Sequence, residues 1–325
     1  MKYINLMPAI ILRLIVKANF NKINRSVVSN GDYLKILGLV GSYRKLGNTD
    51  VLVREALMSA QEMGADVEML RLTDLNIKPC RGCMACVFKN ADCRIEDDAN
   101  FFFSKFFEAD GIILGSPIYI FGPVGIVKMI IDRFLQISTK SQKLANKVGA
   151  IIAIGGAPGA EGTIMPGLAS FFTFLGIPIV DQMLAYSHGP GEILLNEDAV
   201  EKANQIGREL VEALGDNRAK TKYIKNSSVC PICHQNFLVL KNGTLECGLC
   251  HTKATPKIEL GKLILEFGKA ELKKDEEIQE EITGHIENLS KTGVKYLKLR
   301  DEIDKRKEKY KNFAIKEAKP PSSNE

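Results

Sequence analysis

The sequence predicts a doubly wound α/β domain with a five-stranded parallel sheet, followed by a small metal-binding module and C-terminal helices. One observation is the alternation of short apolar runs with amphipathic segments between residues 34 and 215. Another is that all eight cysteines fall into two quartets built on C-x2-C pairs, one inside this region and one beyond it. A third is the C-terminal stretch, where charges of both signs dominate.

The strands and helices of the α/β domain follow from length and periodicity. Five apolar runs are predicted strands: LKILGLVGS, ADVEMLRL, GIILGSP, VGAIIAIGG and IPIVDQMLA. Five amphipathic segments are predicted helices: TDVLVREALMSAQEMG, DDANFFFSKFFEAD, VGIVKMIIDRFLQIS, TIMPGLASFFTFLG and EDAVEKANQIGRELVEALG. The first four helices provide the crossovers that parallel strands need and the fifth closes the domain, so the strands form one parallel sheet that helices cover on both faces.

Length and composition predict a soluble globular protein with more than one module. The chain has 325 residues, a net charge of +5 and a mean hydropathy of −0.04. This charge is too small for the size of the chain to indicate nucleic acid or membrane as a partner. Eight thiols spaced for metal rather than for disulfides indicate a reducing compartment, so we expect a cytoplasmic protein.

Residues 1–33 are predicted to form a basic N-terminal extension. Residues 1–25 carry five cations and no acid around an apolar stretch that Arg13 interrupts. The stretch is too short to span a bilayer, and it lacks the apolar region and cleavage site of a secretory signal. We expect a short amphipathic helix that packs on this domain or on a neighbouring subunit, with peripheral membrane contact as the alternative.

The loop Gly41–Thr49 follows the first strand and has the composition of an anion cradle. It offers hydroxyls, an amide, two cations and several backbone N–H groups at the start of a helix. Its glycine spacing fits neither the Walker A loop nor the G-x-G-x-x-G fingerprint. Ligands of open parallel sheets bind beyond the carboxyl ends of the strands, so this loop is a candidate phosphate site. A tight polar turn is the alternative.

Two motifs together carry a family resemblance. The loop reads G-S-x-R-K-x-G-N-T, and two strands later comes G-S-P-I-Y-x-x-G-x5-K-x-x-I-D-R. Over residues 34–215 the chain resembles the NADPH-dependent FMN reductase branch of the flavodoxin-like fold. Tyr43 stands where that family usually has proline, which predicts a less rigid loop.

The resemblance implies a set of flavin-binding residues. Those expected at the FMN phosphate are Ser42, Arg44, Asn48 and Thr49. Those expected near the isoalloxazine ring are Pro117, Ile118, Tyr119, Phe121 and Gly122, with Gly155 and Gly156 on its other side.

The first cysteine quartet predicts an iron–sulfur cluster. Its members are Cys80, Cys83, Cys86 and Cys93, in a C-x2-C-x2-C-x6-C loop at residues 80–93. A mononuclear zinc site more often separates its ligands into two distant pairs, whereas this compact run suits a cluster. It resembles the motif of the iron–sulfur flavoproteins, a subgroup of the same family that carries a [4Fe–4S] cluster beside FMN. A cysteine-rich loop without a cluster is the alternative.

The resemblance also implies a redox function in which no side chain acts as a catalytic nucleophile. FMN exchanges two electrons and a cluster exchanges one, so the pair converts between the two kinds of carrier. The implied partner is a ferredoxin-like carrier, as in the subgroup, or NAD(P)H, as in the wider family. A homodimer or homotetramer is implied by the resemblance alone.

The second cysteine quartet predicts a zinc ribbon at residues 226–256. Cys230, Cys233, Cys247 and Cys250 form two C-x2-C knuckles. A predicted β-hairpin with Asn242-Gly243 at its turn separates them and brings four thiolates to one structural Zn²⁺. Two alternatives stay open. One is rubredoxin-like iron, but rubredoxin knuckles usually have glycine after the second cysteine, whereas His234 and His251 follow here. The other is c-type haem, which would use the C-x-x-C-H sequence but requires export of the protein.

The C-terminal region is predicted to be a docking or oligomerisation arm. A polar, lysine-rich linker covers residues 216–228, and a charged helical arm covers residues 260–318, before a disordered tail. Ile278, Ile282, Ile286 and Leu289 have helical spacing, so we expect one or two exposed helices. Nucleic-acid binding is not expected, because the ribbon and arm lack interleaved aromatics and a basic face of one sign.

Three functions remain in competition. The leading hypothesis is an FMN and [4Fe–4S] oxidoreductase with an appended zinc ribbon. The second is an NAD(P)H-dependent flavin or quinone reductase whose cysteine loop is empty. The third is a zinc-ribbon interaction protein whose flavodoxin-like domain senses redox state.

Overall fold

The computed structural model describes residues 33–89, 91–137, 144, 146–215, 229–241, 243–267 and 275–311. The expectations for residues 1–32, for the linker at 216–228 and for the C-terminal tail fall outside these ranges. Within them, no helix combines the length and the apolar character needed to cross a membrane.

The main sheet contains the five parallel strands that the sequence predicts. They are β1 (Lys35–Val40), β2 (Asp66–Arg71), β3 (Gly111–Tyr119), β5 (Val148–Gly155) and β6 (Ile179–Tyr186). Their order is β2-β1-β3-β5-β6, which is the order of flavodoxin-like sheets. A two-residue strand, β4 (Gly122–Pro123), pairs antiparallel with the end of β3. The sequence does not predict β4, because two residues carry no periodicity.

Seven α-helices lie within the described ranges. They are α1 (Asn48–Glu62), α2 (Ala85–Phe88), α3 (Ala99–Glu108), α4 (Gly125–Asp132), α5 (Ile164–Thr173), α6 (Glu197–Gly215) and α7 (Asp275–Lys311). Helices α1 and α6 cover one face of the main sheet, and α3, α4 and α5 cover the other. All of β5 is buried, which accounts for its unbroken apolar run.

Alternate strand residues build two separate cores. Ile36 and Ile113 point toward α1 and α6, whereas Leu37 and Ile112 point toward the other three helices. Buried phenylalanines fill the second core, among them Phe102, Phe106, Phe134 and Phe171. The rings of Phe134 and Phe171 meet edge to face with their centroids 5.0 Å apart. These cores hold the strand ends in place, and the loops at those ends carry the candidate site.

A second, antiparallel sheet follows the α/β domain. Its strands are β7 (Leu238–Lys241), β8 (Thr244–Cys247), β9 (Lys253–Glu259) and β10 (Lys262–Phe267), in the order β10-β9-β8-β7. β7 and β8 form the predicted hairpin, with Gly243 at φ 76°. Asn242 is outside the described residues.

The ribbon extends further than the sequence predicts. Residues 260–267 are expected in the helical arm, but they form the turn and second strand of the β9–β10 hairpin. Leu260 and Gly261 have φ of 50° and 75°, the two positive values of a type I′ turn. Leu263 pairs with Ile258 across that hairpin. The extension depends on this cross-strand pairing, which local charge composition does not reveal.

Contacts made by the ribbon and by α7 attach the C-terminal modules to the α/β domain. Gln182 of β6 donates to the carbonyl oxygen of His234 over 2.8 Å, and its own amide oxygen accepts from Gln235 over 2.8 Å. Helix α7 is one continuous helix of 37 residues. A Cβ built at Gly293 of α7 would lie 3.0 Å from the ring of Phe88, so α7 packs on the cysteine loop.

Candidate functional site

The loops at the carboxyl ends of the parallel strands form one continuous surface. The backbone N–H of Gly41 donates to the carbonyl oxygen of Gly115 over 2.8 Å, which ties the loop after β1 to β3. The N–H of Ser187 donates to Gly155 over 2.9 Å, which ties the end of β6 to β5. Ligands bind at this edge of doubly wound sheets.

Helix α1 offers uncapped donors at the predicted phosphate loop. Its N-cap is Gly47, and no side chain makes a cap hydrogen bond there. The first-turn N–H groups of a helix lack partners within the helix, and the helix dipole favours an anion at this end. Ser42 and Thr49 are buried in this region, and Arg44 is exposed at the rim of the loop. These donors fit the phosphate of FMN.

Asn48 has structural partners that the sequence does not predict. Its side-chain amide donates to the carbonyl oxygen of Ser187 over 3.3 Å, and its amide oxygen accepts from the N–H of Ile193 over 3.3 Å. Asn48 is expected at the phosphate, and here it ties the first loop to the loop after β6.

Ser187 is a polar residue of this edge that sequence reasoning missed. Its hydroxyl oxygen is buried and has no hydrogen-bond partner in the described part of the chain. A buried hydroxyl without a partner is costly, so it is available to a ligand. The rule that ligands bind at strand ends, extended to the fifth parallel strand, would have found it.

The first loop is held from outside by a buried ion pair. Arg71, at the end of β2, donates to the carbonyl oxygen of Ser42 over 2.8 Å and pairs with Asp50, which is fully buried in α1. Asp50 also accepts from the N–H of Leu46 over 3.2 Å. Tyr43 itself is 70% exposed. Arg71 and Asp50 therefore hold this loop through its backbone, at Ser42 and Leu46.

The second loop is a strained hairpin between β3 and β4. Ile120 and Phe121 have φ of 45° and 62°, which a type I′ turn requires and a β-branched residue rarely adopts. The N–H of Thr163 donates to the carbonyl oxygen of Phe121 over 2.6 Å and holds the turn. Tyr119 and Phe121 are about half exposed at its tip. Strain of this kind persists where the surroundings fix it, often at ligand sites.

The third loop leaves room for a flat ligand. A Cβ built at Gly156 would meet no atom within 4 Å, so the space beside it is open. A Cβ at Gly155 would lie 2.9 Å from the ring of Tyr186 and 3.0 Å from Ile118. Gly155 therefore packs on the wall of the site, and Gly156 is exposed beside it. With Pro117, Ile118, Tyr119 and Gly122 at the end of β3, these residues fit an isoalloxazine ring.

Tyr186 closes this wall and is fixed by Glu161. Its hydroxyl donates to the Glu161 carboxylate, which also accepts from the N–H of Gly159 over 2.9 Å. Partial burial and then the neighbouring carboxylate raise the pKa of Tyr186 to about 12, so its hydroxyl stays protonated at neutral pH. Neither residue is among the predicted site residues.

The cysteine loop extends from the end of β2 to the start of α3. Cys80 and Cys83 are exposed, and Cys86 and Cys93 are half-buried. No three of these sulfurs lie within 4.8 Å of one another, unlike the ribbon thiols.

Two N–H donors lie beside sulfurs of this loop. Gly82 and Met84 have φ of 61° and 57°, and the N–H of Gly82 approaches the sulfur of Cys80 to 3.5 Å. Arg133, which follows α4, donates to the sulfur of Cys93 over 3.4 Å. These N–H···S contacts and the complete quartet fit a cluster.

A buried ion pair stands at the base of the loop. Arg133 and Asp97 have side chains only 2% and 1% exposed, and the guanidinium donates to both carboxylate oxygens. Burial alone would raise the pKa of Asp97, but hydrogen bonds from Arg133 and from the N–H of Lys78 outweigh burial and keep it below its usual range.

A cavity of about 620 Å³ opens beside Cys93. Phe103, Phe107 and Ile137 form its apolar lining, and Asp92 and Gln136 are among its polar residues. The sequence gives no sign of this cavity, because its walls come from segments that only the fold brings together.

The second quartet forms a compact four-thiol centre. All four sulfurs lie within 4.8 Å of one another, with Cys230 and Cys250 separated by 3.3 Å and Cys233 and Cys247 by 3.4 Å. Convergence on one point fits one tetrahedral ion, whereas haem attachment would use each C-x-x-C pair separately.

The two histidines of the knuckles are turn residues. His234 and His251 have φ of 57° and 60°, the left-handed conformation that glycine usually takes after the second cysteine. His251 is exposed, and its imidazole lies 3.5 Å from Glu246. His234 is buried against the main sheet.

Comparisons with known proteins agree with this geometry. Residues 34–191 match the family model described as NADPH-dependent FMN reductase. An iron-sulfur flavoprotein of Methanocaldococcus jannaschii is 34% identical over 190 residues, which cover 56% of this chain and 97% of that protein.

Other relatives match a larger share of the chain. A flavone synthase of Aspergillus candidus is 31% identical over 252 residues, which cover 68% of this chain and 77% of that protein. The solved structure of a flavone reductase superposes with a TM-score of 0.69 at 25% identity, over 88% of this chain and 100% of that one. The match to the flavone reductase structure is longer than the α/β domain, so it includes part of the C-terminal modules.

Proposed function

Because this chain belongs to the NADPH-dependent FMN reductase family and to its iron–sulfur flavoprotein subgroup, we propose that it is an FMN and [4Fe–4S] oxidoreductase. Membership of the family makes the chain a flavin-dependent oxidoreductase. The proposal adds the cluster, the zinc of the ribbon and the kinds of electron partner. Electrons would move between an acceptor and either a ferredoxin-like one-electron carrier or NAD(P)H.

The observation that carries the proposal is the link between flavin loop and cysteine loop through α4. This helix starts at Gly125, directly after the strained hairpin, and ends beside Arg133, which contacts Cys93. Eight residues of helix span about 12 Å. Bound FMN would supply two-electron chemistry and a cluster one-electron chemistry. The chain's own part is to hold both sites on one rigid element.

The side chains around the flavin bind and orient rather than react. The first turn of α1, with Ser42 and Thr49, would bind the phosphate. The wall that Ile118, Gly155 and Tyr186 form would orient the ring and exclude water from one side. Tyr186 keeps its proton at neutral pH, because its pKa is raised to about 12, so it can donate a hydrogen bond but not act as a base.

For the ribbon we propose a structural Zn²⁺. Four thiolates around one point are typical of structural zinc, and such sites contribute directly to folding. The ribbon is joined to β6 through Gln182 and His234. Its ion would stabilise this attached module, and it would not exchange electrons because Zn²⁺ has no redox chemistry.

One anaerobic preparation of the full chain tests these assignments. We expect one FMN, about four irons with matching sulfide, and one zinc per chain. Reduction by NADH, NADPH or a reduced ferredoxin, followed by flavin absorbance, identifies the donor. Flavin without iron would refute the cluster proposal, and iron in place of zinc would refute the ribbon assignment.

A second candidate function is the flavin-dependent reduction of a planar aromatic compound. The likeness to a flavone reductase over 88% of this chain favours it, as does an aromatic rim around the site. Tyr43, Tyr119 and Phe121 are 70%, 48% and 58% exposed at the carboxyl edge. Exposed apolar groups around a concave site are typical of ligand binding.

Flavone-dependent oxidation of NAD(P)H tests this candidate. A Tyr43→Ser variant should lower the rate if the rim binds substrate. Tyr33→Ser is the matched control, because Tyr33 is 68% exposed at the opposite end of β1. No flavone-dependent oxidation by the FMN-loaded chain would exclude this function.

A further inference from the structure

We infer that the buried Asp97–Arg133 pair is a positioning device that closes the cysteine loop and holds a permanent cation at Cys93. The inference rests on the proposed function, because it concerns the surroundings of the proposed cluster. It assigns a role to two residues that coordinate no metal themselves.

The pair closes the loop by binding both of its ends. The N–H of Lys78, which precedes the first cysteine, donates to Asp97 over 2.9 Å, and its carbonyl oxygen accepts from Arg133 over 3.0 Å. Asp97 follows the last cysteine and lies 19 residues from Lys78 in sequence. The ion pair thus joins the two ends of the loop. Both of its side chains bond to the backbone of Lys78 at the first end, and Asp97 itself belongs to the second end.

A second backbone contact strengthens this closure. The N–H of Asn76 donates to the Asp98 carboxylate over 2.7 Å, and the N–H of Asp98 donates back to the Asn76 carbonyl oxygen over 3.1 Å. The residues between these contacts carry all four cysteines. The loop therefore starts from a fixed base, which lies two residues before Cys80 and four residues after Cys93.

Arg133 also distinguishes Cys93 from the other three cysteines. Its guanidinium nitrogen Nη2 lies 3.4 Å from the sulfur, and Gln136 accepts from the same nitrogen over 3.0 Å. Arginine does not lose its proton in proteins, so this donor stays cationic. Hydrogen bonds and charge at the sulfurs set cluster potentials. A cation stabilises the reduced, more negative state, so Arg133 should raise the reduction potential.

Stability alone does not explain a buried pair at this position. Burying two charges carries a desolvation penalty, and apolar residues of similar volume often give a protein equal or greater stability. Arg133 follows α4 directly, where the negative end of the helix dipole favours a cation. It reaches from there to Lys78, Asp97 and Cys93 at once, which apolar side chains would not do.

The first test uses the metal-free full chain. Arg133→Met and Asp97→Asn should increase hydrogen exchange across residues 79–96. Lys128→Met is the matched control, because Lys128 forms an exposed pair with Asp132 on the same helix and should leave exchange unchanged. Asp97→Asn preserves side-chain volume and decides the outcome if Arg133→Met does not fold. Wild-type exchange rates in a folded variant would overturn the closure.

The second test measures the reduction potential of the iron-loaded chain by electron paramagnetic resonance. Arg133→Met should lower the potential and the iron content. Arg133→Lys should restore part of the potential but not the exchange protection, since an ammonium cannot reproduce the planar contacts. Equal potentials in wild type and Arg133→Met would overturn the role at Cys93. A wild-type chain without iron would refute the proposed cluster, while the exchange test would still decide the closure.

Discussion

The guanidinium of Arg71 lies 2.8 Å from the carbonyl oxygen of Ser42, and this contact fixes the shape of the candidate phosphate loop. Arg71 belongs to β2 and Ser42 to the loop after β1, so neighbouring strands share one anchor. Asp50 accepts from both Arg71 and Arg54 and is fully buried. The flavin loop therefore depends on an ion pair outside its own sequence.

Arg71→Met should cost both stability and flavin affinity. It removes one of the two arginines that pair with the buried Asp50, so we expect a loss of about 3–5 kcal/mol in the free energy of unfolding by urea. FMN should bind more weakly in a fluorescence titration, because Ser42 loses its anchor. Arg54→Met is the control: Arg54 is 45% exposed, and the expected loss is below about 1 kcal/mol. Equal effects of the two variants would contradict this account.

Asp50 should make the stability of the protein sensitive to acid. Burial would raise its pKa, but hydrogen bonds from Arg71 and Arg54 outweigh burial and hold it below the ordinary 3.8. The folded state then binds this proton less tightly than the unfolded state, so the contribution is complete above pH 3.8 and falls as the pH drops below it. The difference in unfolding free energy between wild type and Asp50→Asn should therefore shrink in acid. A constant difference would refute the assignment.

Gly156→Ala should weaken FMN binding without changing the fold. The added methyl enters open space in the metal- and flavin-free chain, where no atom lies within 4 Å. In the FMN-bound protein the same methyl would meet the isoalloxazine ring, if the ring lies beside Gly156 as we expect. Gly125→Ala is matched, since its methyl also meets nothing within 4 Å. Thermal unfolding of both flavin-free variants should equal that of wild type, and unchanged FMN affinity in Gly156→Ala would place the ring elsewhere.

Cys233→Ser should remove the ribbon's metal and leave the flavin domain folded. Metal binding supplies much of the folding free energy of such small modules. We expect loss of zinc by elemental analysis and faster hydrogen exchange in β7–β10, with FMN content unchanged. Exchange of the Gln182 side-chain amide protons, followed by NMR, should also rise, because this amide donates to the carbonyl oxygen of His234 in the knuckle. Loss of FMN together with zinc would show that the two modules fold as one unit.

Gly293→Ala should loosen the contact between α7 and the cysteine loop. Alanine usually stabilises a helix interior by roughly 0.5–1 kcal/mol over glycine, but here its Cβ would lie 3.0 Å from the ring of Phe88. Gly284→Ala is the control in the same helix, where nothing lies within 4 Å. Only Gly293→Ala should raise hydrogen exchange in α2. The same exchange in both variants would argue against a functional contact.

Much of the fold was predictable, because the signals are local. Apolar runs such as VGAIIAIGG lie on buried strands, and β5 is buried throughout. Both cysteine quartets were visible from spacing, and the ribbon thiols converge as expected. The end of the ribbon was not predictable. The β9–β10 hairpin depends on pairing between Leu263 and Ile258 rather than on composition.

The site was predictable at the level of loops and less so at the level of contacts. The first loop and the end of β3 meet at one edge, as their motifs indicate. Asn48 proved to bond to Ser187 and Ile193, although its motif indicates the phosphate. Tyr186 and Glu161, which shape the wall, belong to no motif that the sequence displays.

The sequence by itself determined the doubly wound α/β class of the main domain and the division of eight thiols into two groups. These follow from periodicity and from ligand spacing, both of which act over a few neighbouring residues. Only the tertiary structure decided that Arg71 anchors Ser42 and that Arg133 contacts Cys93, 29 and 40 residues away in sequence. Buried charges are stable only where folding brings their partners, so their roles appear only when distant segments pack together.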